Sequence, residues 1–406
     1  MKSFIPNLRH LRAFREVARC QSISQASPII FLSQPAITQA IAKLESTLGI
    51  LLFERRNDGM FVTTEGTLFL DRVNRALNLI KAGVKESAII GLKKNANSIY
   101  GVEKRITNIQ LRALIAVADA GNFSLAARSI GITQPSLHRA ARDLEFQTGI
   151  VLFVKSRHGI ELTLAAKPLV LCAKLAFAEL LQGIGEIAEF CQLDSSEIII
   201  GTMPLARSYI LPKAIIEHTK KHPEAKIKVV DGPYDDLLHS LRHGELDFLL
   251  GALRSPNPVE DVFQEGLFEE SLTLVVRRDH PLVKQKNVSV SDLAQYPWIV
   301  PPKKTPTRVL FENLFREKNI VCPNRIVETS SFILLRSLLL ASDRIAIVST
   351  HQVIVDEKVG LIHSLPLNAD TKKRLIGITV RRDWRPTASQ NEFLNLLRRA
   401  GKTAEH

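Results

Sequence analysis

Hydrogen-bonding and cationic side chains cluster twice in this chain, 100 residues apart. The first set is Ser33, Gln34, Thr38, Gln39 and Lys43; the second is Thr133, Gln134, Ser136, His138, Arg139 and Arg142. Neither set offers a nucleophile with its base, a carboxylate pair or a metal-ligand spacing. Amide, hydroxyl and cationic groups at helical spacing instead match base edges and phosphates in a major groove. Pro35 and Pro135 stand where a helix tolerates a missing N–H, in its first turn. Arg55 and Arg56, and later Lys155 and Arg157, add cations beside glycine-containing turns, which suits phosphate contact but equally suits a solvated edge. A third set lies in the C-terminal half: Thr202, Met203, Leu205, Arg254, Thr305, Thr307, Arg308, Ser330 and Ser331. Hydroxyls at helix starts with an arginine nearby are the means of holding a small anion, although hydroxyls at helix starts are also ordinary caps.

The elements that must position the first two sets repeat without a gap. Leu11-Arg12-Ala13, Val17-Ala18, Ser24, Ala26, Gln34-Pro35, Leu44-Glu45, Gly49-Ile50 and Leu52-Phe53 recur at 111–113, 117–118, 124, 126, 134–135, 144–145, 149–150 and 152–153. Leu11, Phe14, Val17 and Ala18 make one helical stripe, as do Leu111, Leu114, Val117 and Ala118. Ser24 is the expected cap of a second helix ending near Phe31, and Ser33 of a third. In that third helix Ile37, Ile41, Leu44 and Leu48 face inward, matched by Leu137, Ala141 and Leu144. Leu51–Phe53 and Phe61-Val62 flank Asn57-Asp58-Gly59 and predict a short hairpin. A long apolar-striped helix follows each hairpin, through Leu68, Phe69, Val73, Leu77, Ile80 and Val84, and through Leu169, Leu171, Leu175, Phe177, Leu180, Leu181, Ile184 and Ile187. Gly91 to Tyr100 reads as a flexible basic connector.

Charge separates the halves. Residues 1–168 hold 23 Lys and Arg against 12 Asp and Glu, while the rest holds 31 against 29, so nearly all of the net +13 lies with the repeats. That asymmetry favours a nucleic-acid partner for the first half. Cys20, Cys172, Cys191 and Cys322 are widely spaced and read as reduced packing residues. Met1 to Arg12 lacks a long apolar run, and no stretch approaches eighteen apolar residues free of charge. The expectations are a cytoplasmic location, no membrane partner, no metal and no cofactor.

Two strings now carry a resemblance. Ser33-Gln34-Pro35-Ala36-Ile37 with Leu44-Glu45, Leu48-Gly49, Leu52-Phe53-Glu54-Arg55, Gly59 and Thr63 resembles the DNA-binding domain of LysR-type transcriptional regulators. Phe123-Ser124-Leu125-Ala126-Ala127, Thr133-Gln134-Pro135-Ser136-Leu137, Leu144-Glu145 and Leu152-Phe153 resemble it again. The chain departs from the family in carrying two copies, in Ser27-Pro28, in Lys155 where arginine is usual, and in Pro168 early in the helix that follows. The resemblance implies winged helix-turn-helix units. In the family the long helix pairs with its twin, implying a homodimer able to pair into a tetramer; the alternative is that the two apolar faces pack within one chain.

From Glu197 strands alternate with helices. Strands are expected at 198–200, 227–230, 248–250, 273–277, 298–300, 325–327, 344–348 and 375–380, and helices near 212–222, 234–243, 307–318, 331–341 and 388–400. The alternation predicts parallel sheets in two lobes joined by two crossings. Leu211-Pro212, His222-Pro223, Gly244-Glu245-Leu246-Asp247, His280-Pro281-Leu282 and Ile345-Ala346 are similar to the effector domain of the same family. Residues 203–207, 232–235 and 251–254 look closer to the subgroup that includes galactose-binding-protein regulators and some regulators of aromatic catabolism. Leu205 stands where the family often has a polar residue.

The fold expected is therefore two helix-rich winged helix-turn-helix domains and a two-lobed α/β domain of the periplasmic-binding-protein type. The division is 1–64 and 105–163 for the winged units, 65–104 for a linker helix with its connector, 164–194 for a dimerisation helix and 195–406 for the effector domain. The function expected is DNA binding modulated by a small, anionic sugar acid or aromatic acid, with Arg254 or Arg308 clamping its carboxylate and RNA polymerase a further candidate partner. A solute-binding protein or an enzyme would use only the second half. No phosphate loop, Gly-x-Ser-x-Gly or His-Glu-x-x-His string supports catalysis.

Overall fold

A computed structural model describes residues 5–92, 101–157, 159–191, 197–203, 209–303, 305–367 and 373–404. The first unit comprises α1 (Leu8–Cys20), α2 (Ile23–Ile30), α3 (Gln34–Leu48), the hairpin β1 (Phe53–Arg56) and β2 (Gly59–Val62), and the long α4 (Thr64–Leu92). The second repeats it as α5 (Asn108–Ala120), α6 (Phe123–Ile130), α7 (Gln134–Thr148), β3 (Phe153–Ser156), β4 (Gly159–Leu162) and α8 (Ala166–Phe190). The second helix is capped by Ser22, whose hydroxyl accepts from Gln25 N–H, two residues before the expected Ser24. Pro28 is accommodated inside it.

The repeated Leu-Glu pair now has a physical reason. Glu45 Oε1 accepts the N–H groups of Leu52 and Phe53, at 2.8 and 3.3 Å, and Glu145 Oε1 those of Leu152 and Phe153, at 2.8 and 3.1 Å. The carboxylate ties each hairpin to the helix before it. On the other side Met60 N–H donates to Gln21 O and Ile160 N–H to Gly121 O. A Cβ on Gly59 would lie 2.8 Å from Gln21 O, and one on Gly159 2.5 Å from Gly121 O, so only glycine fits these turns.

The two long helices cover each other. Phe69, Val73, Leu77, Ile80 and Val84 of α4 and Leu169, Ala173, Ala176, Leu180 and Ile187 of α8 are buried in one core that runs through both units. Leu68 and Leu181, expected in these stripes, point to solvent. The faces offered for pairing between chains are thus paired inside one chain, and the family's oligomers need another surface here. The helices run antiparallel, with Gly83 against Cys172 and Gly183 against Arg72, where a Cβ would come within 2.6 and 2.9 Å. Ala166–Phe190 is long and apolar enough to cross a bilayer by length and composition, yet α4 buries one side of it.

Arg72 and Arg75 of α4 lie in the same seam. Arg72 reaches Glu179 at 2.9 Å and Glu186 at 3.0 Å, and Arg75 reaches Glu179 at 2.9 Å. Burial alone would raise the Glu179 carboxyl, but hydrogen bonds from Arg75 and Arg72 bring it below its ordinary value. The connector at 93–100 lies outside the described residues.

In the second half the expected parallel sheets prove mixed. Lobe one contains β5 (Glu197–Thr202), α9 (Ile210–Lys221), β6 (Lys226–Asp231), α10 (Tyr234–Arg242), β7 (Phe248–Ala252) and β8 (Val262–Glu270). Lobe two contains β9 (Leu272–Arg277), α11 (Val290–Ala294), β10 (Trp298–Val300), α12 (Pro306–Arg316), β11 (Ile326–Glu328), α13 (Phe332–Ala341), β12 (Ile345–Ser349), α14 (Thr350–Lys358) and β13 (Ile362–Leu365). The chain then returns through β14 (Arg374–Arg381) to lobe one and ends in α15 (Ala388–Ala404). The sheet orders are β6-β5-β7-β14-β8 and β11-β10-β12-β9-β13. Three strands of each are parallel; β8, β14, β9 and β13 run in antiparallel pairings because they carry the crossings between lobes. Strands β8 and β13 and helices α11 and α14 were not expected. The first is written Val-Phe-Gln-Glu-Gly-Leu-Phe-Glu-Glu, whose charges hide it among loops.

Candidate nucleic-acid interface and ligand cleft

Both third helices bury their apolar stripe and expose the opposite side. Ile37, Ala40, Ile41 and Leu44 are buried in α3, and Leu137, Ala140, Ala141 and Leu144 in α7. Gln34, Gln39 and Lys43 are exposed and Thr38 half-buried; Gln134, Pro135, Ser136, His138, Arg139 and Arg142 are all exposed. Thr133 caps α7 through Ser136 N–H, while Ser33 at the start of α3 makes no side-chain cap. Some of these groups already have partners: Thr38 donates to Gln34 O at 3.1 Å, Gln134 accepts from Ser124 at 2.7 Å, His138 rests on Phe123 at 5.1 Å, and Arg142 pairs with Glu145 at 2.5 Å. In the hairpins Arg55, Lys155 and Arg157 are exposed, and Arg56 lies 4.9 Å over the Phe61 ring with Glu54 at 2.9 Å.

The effector residues divide. The C-terminal ends of β5, β6 and β7 in lobe one and of β10, β11 and β12 in lobe two lead into the loops where an open α/β sheet takes its ligands. Thr202 ends β5 with its buried hydroxyl donating to Met203 O, and Met203 is core, packed on Gly251. Leu205 lies outside the described residues. Arg254 follows β7, its guanidinium 4.6 Å over the Tyr234 ring and its N–H on Gln264. Thr305 caps α12, and Ser331 caps α13 beside exposed Ser330. Arg308 is buried and held by Glu312 at 2.8 Å and Glu328 at 3.0 Å, so its charge is already matched.

Sequence reasoning missed Arg374, the first residue of β14. It spans the lobes, donating to Thr307 Oγ1 at 2.9 Å. Burial pulls its guanidinium below the ordinary value; Glu270 opposes this and Arg254 adds to it. Glu270, paired with Arg374 across β8 and β14, was missed as well. It is 1% exposed, accepts from Ser349 Oγ and has an Oε2 with no hydrogen-bond partner among the described residues. His351 stands beside it at 3.8 Å and touches Tyr209 from the opposite lobe, ring to ring at 5.6 Å. Nothing in the sequence pattern marked these two; the crossing strands bring them together.

A metal-compatible trio, His218, His222 and Glu392, lies between α9 and α15, away from this cleft. Lys221 and His222 already hold that carboxylate, which their hydrogen bonds depress to about 2.

Comparison with known proteins agrees with the geometry. The profile described as bacterial regulatory helix-turn-helix protein, lysR family, matches residues 8–67 and again 109–167, and the LysR substrate binding domain matches 192–402. The chain is 32% identical over 377 residues to the HTH-type transcriptional regulator GalR of Pseudomonas putida, covering 93% of each protein. It is 26% identical over 300 residues to PcaQ of Agrobacterium fabrum, covering 74% of this chain and 96% of that one. A full-length OxyR from Pseudomonas aeruginosa, solved as a variant with one cysteine replaced by aspartate, shares the fold with a TM-score of 0.54, at 22% identity over 72% of this chain and 98% of that one. The chain belongs to the LysR family: it is a DNA-binding transcription regulator with an effector-binding domain, not an enzyme, and it carries the family's winged helix twice.

Proposed function

We propose that both winged units read DNA and that the cleft binds a small hydroxylated carboxylic acid, a sugar acid or an aromatic acid, which modulates that reading. The observation that carries the ligand class is the pair Arg254 and Arg374. Two cations share a partly buried cleft, one already shifted by burial; among the described residues neither makes a salt bridge, and the one carboxylate acting on Arg374, Glu270, only partly offsets that shift. An entering carboxylate would relieve both at once. Glu270, itself buried, supplies the charge that acts on Arg374, and Thr305, Thr307, Ser330 and Ser331 stand at the starts of the helices that follow β10 and β11. Arg254 with Arg374 thus replaces Arg308 as the clamp. The rings of Tyr209 and Tyr234 at the cleft edge favour the aromatic member of the class.

Base contacts are assigned to Gln34, Thr38, Gln39 and Lys43 and to Gln134, Ser136, His138, Arg139 and Arg142, with phosphate contacts to Arg55, Arg56, Lys155 and Arg157. Ser33 and Thr133 begin those helices, as Pro35 and Pro135 set their first turns. The division proposed is at 64, 104, 163 and 194, the last outside the described residues, and the protein works in the cytoplasm, where its DNA is. Oligomers would form through exposed apolar residues of the effector domain: Ile216 on α9, and Ile333, Leu334 and Leu340 on α13.

The test is a thermal-shift screen of the full chain with hydroxybenzoates and aldonates, repeated with Arg374→Ala and Glu270→Gln. At least one acid should stabilise the wild type; Arg374→Ala should lose that shift while keeping DNA affinity. A ligand shift unchanged in Arg374→Ala refutes the clamp.

A further inference from the structure

We infer that one chain is a complete pair of readers and that its operator is asymmetric: two different half-sites in inverted orientation, read in fixed order by α3 and α7. The inference rests on the proposal that both copies contact DNA.

The pairing has two-fold symmetry. Exchanging the copies exchanges the contacts: position 83 meets position 172, and position 183 meets position 72. At the axis the Leu8 N–H donates to Asn108 Oδ1 at 2.7 Å, the same repeat position on both sides. Two winged units related in this way present α3 and α7 as dyad mates, and duplex DNA accepts dyad-related helices as inverted half-sites on one face, whole turns apart.

The seam also selects unlike pairing. Arg72 and Arg75 on α4 face Glu179 and Glu186 on α8. In a pair of two α8 helices from separate chains, the symmetric exchange would set Glu179 against Cys172 and Leu175. In a pair of two α4 helices, Arg75 would meet Leu79 in place of Glu179, while Arg72 would keep an acidic partner in Glu86, the repeat equivalent of Glu186. The α8 pair leaves its glutamates without cations and the α4 pair leaves Arg75 without a carboxylate, so the mixed pair, which matches all four charges, is preferred. A swap between chains would still give each reading pair one α3 and one α7.

The readers differ in character mainly where DNA would see the difference. Buried positions are largely kept, with Ile37 and Leu137, Ala40 and Ala140, and Leu44 and Leu144 equivalent, while Ile41 shrinks to Ala141 and Leu48 becomes Thr148. Facing outward, Thr38 becomes His138, Gln39 becomes Arg139, Ala42 becomes Arg142 and Lys43 becomes Asp143. Groups this different do not prefer the same base pairs.

Selection of bound duplexes from a random pool by the full-length chain tests the inference. The wild type should yield a site whose halves are not inverted repeats of each other. The variant Thr38→His, Gln39→Arg, Ala42→Arg, Lys43→Asp should convert only one half, giving a palindrome, and bind the wild-type site about tenfold or more weakly. The reciprocal variant His138→Thr, Arg139→Gln, Arg142→Ala, Asp143→Lys should give the other palindrome. A palindromic wild-type site, or a transplant that alters both halves together, overturns the ordered pair while leaving both copies as readers. A transplant that binds but changes neither half removes that copy as a reader, and both proposals fall. If one transplant does not fold, the reciprocal decides alone, because each converts a different half.

Discussion

Asp247 is a carboxylate kept from water. Burial pushes it up to about 6, against the Ile199 N–H at 2.7 Å, the charge of Arg381 and the Gln182 amide, which all favour its ionised form. A carboxyl whose folded pKa lies above its unfolded one binds more protons when folded. Its stabilising contribution is therefore full below about pH 4 and lost as pH rises through about 6. We expect Asp247→Asn to remove a decline on the order of 2 to 3 kcal/mol between those limits, seen by chemical denaturation across pH. Equal slopes in variant and wild type would show that Asp247 does not titrate in that window. Arg374 and Glu270 teach a different lesson at this scale. A lone arginine opening a strand and a glutamate ending one look like solvated surface in sequence; only their register across β8 and β14 puts them at one mouth.

Among the elements, the paired helices and the third helices respond to different substitutions. A side chain at Gly83 meets Cys172 and one at Gly183 meets Arg72, so Gly83→Val or Gly183→Val should cost on the order of 1 to 3 kcal/mol in unfolding free energy. Gln39→Ala and Arg139→Ala should leave stability unchanged and relax different ends of a footprint, each costing about 1 to 3 kcal/mol in binding if the residue reads a base. Loss at the same end for both would mean a single reader. The winged units were legible because a buried stripe every third or fourth residue, a helix-opening proline and a glycine turn are local signals, and each occurs twice. The partner of the long helices was not legible, since an apolar stripe does not name what covers it. What names it is the unlike charge of Arg72, Arg75, Glu179 and Glu186, dispersed over positions that in isolation read as surface. Strand β8 escaped for a related reason: its outward glutamates belong to a sheet edge crossing between lobes.

For the molecule as a whole, binding should carry the salt dependence of two hairpins. Each phosphate contact contributes about −0.9 to the slope of log affinity against log salt. Arg55→Ala with Arg56→Ala should therefore flatten the slope by about 2, and Lys155→Ala with Arg157→Ala by a similar amount. A flattening from only one pair would assign the phosphate grip to one copy.

Lobe one touches both long helices. The carbonyls of Asp383 and Arg385 accept from Arg75 and Arg72, the Arg385 side chain holds Asp71 at 2.7 Å, and on the other helix Lys174 holds Glu245 at 2.7 Å while Glu189 accepts from Thr387 at 3.0 Å. Two winged-helix units thus share contacts with a single effector domain. Where one chain fills one promoter without pairing to others through α9 and α13, each promoter is answered by one molecule of metabolite, and the titration of expression against metabolite should be shallow, with a Hill coefficient of about 1; a steeper titration would mark the oligomer as the acting form. Gene control built this way tracks concentration in proportion, without the threshold that several receptors per promoter would impose.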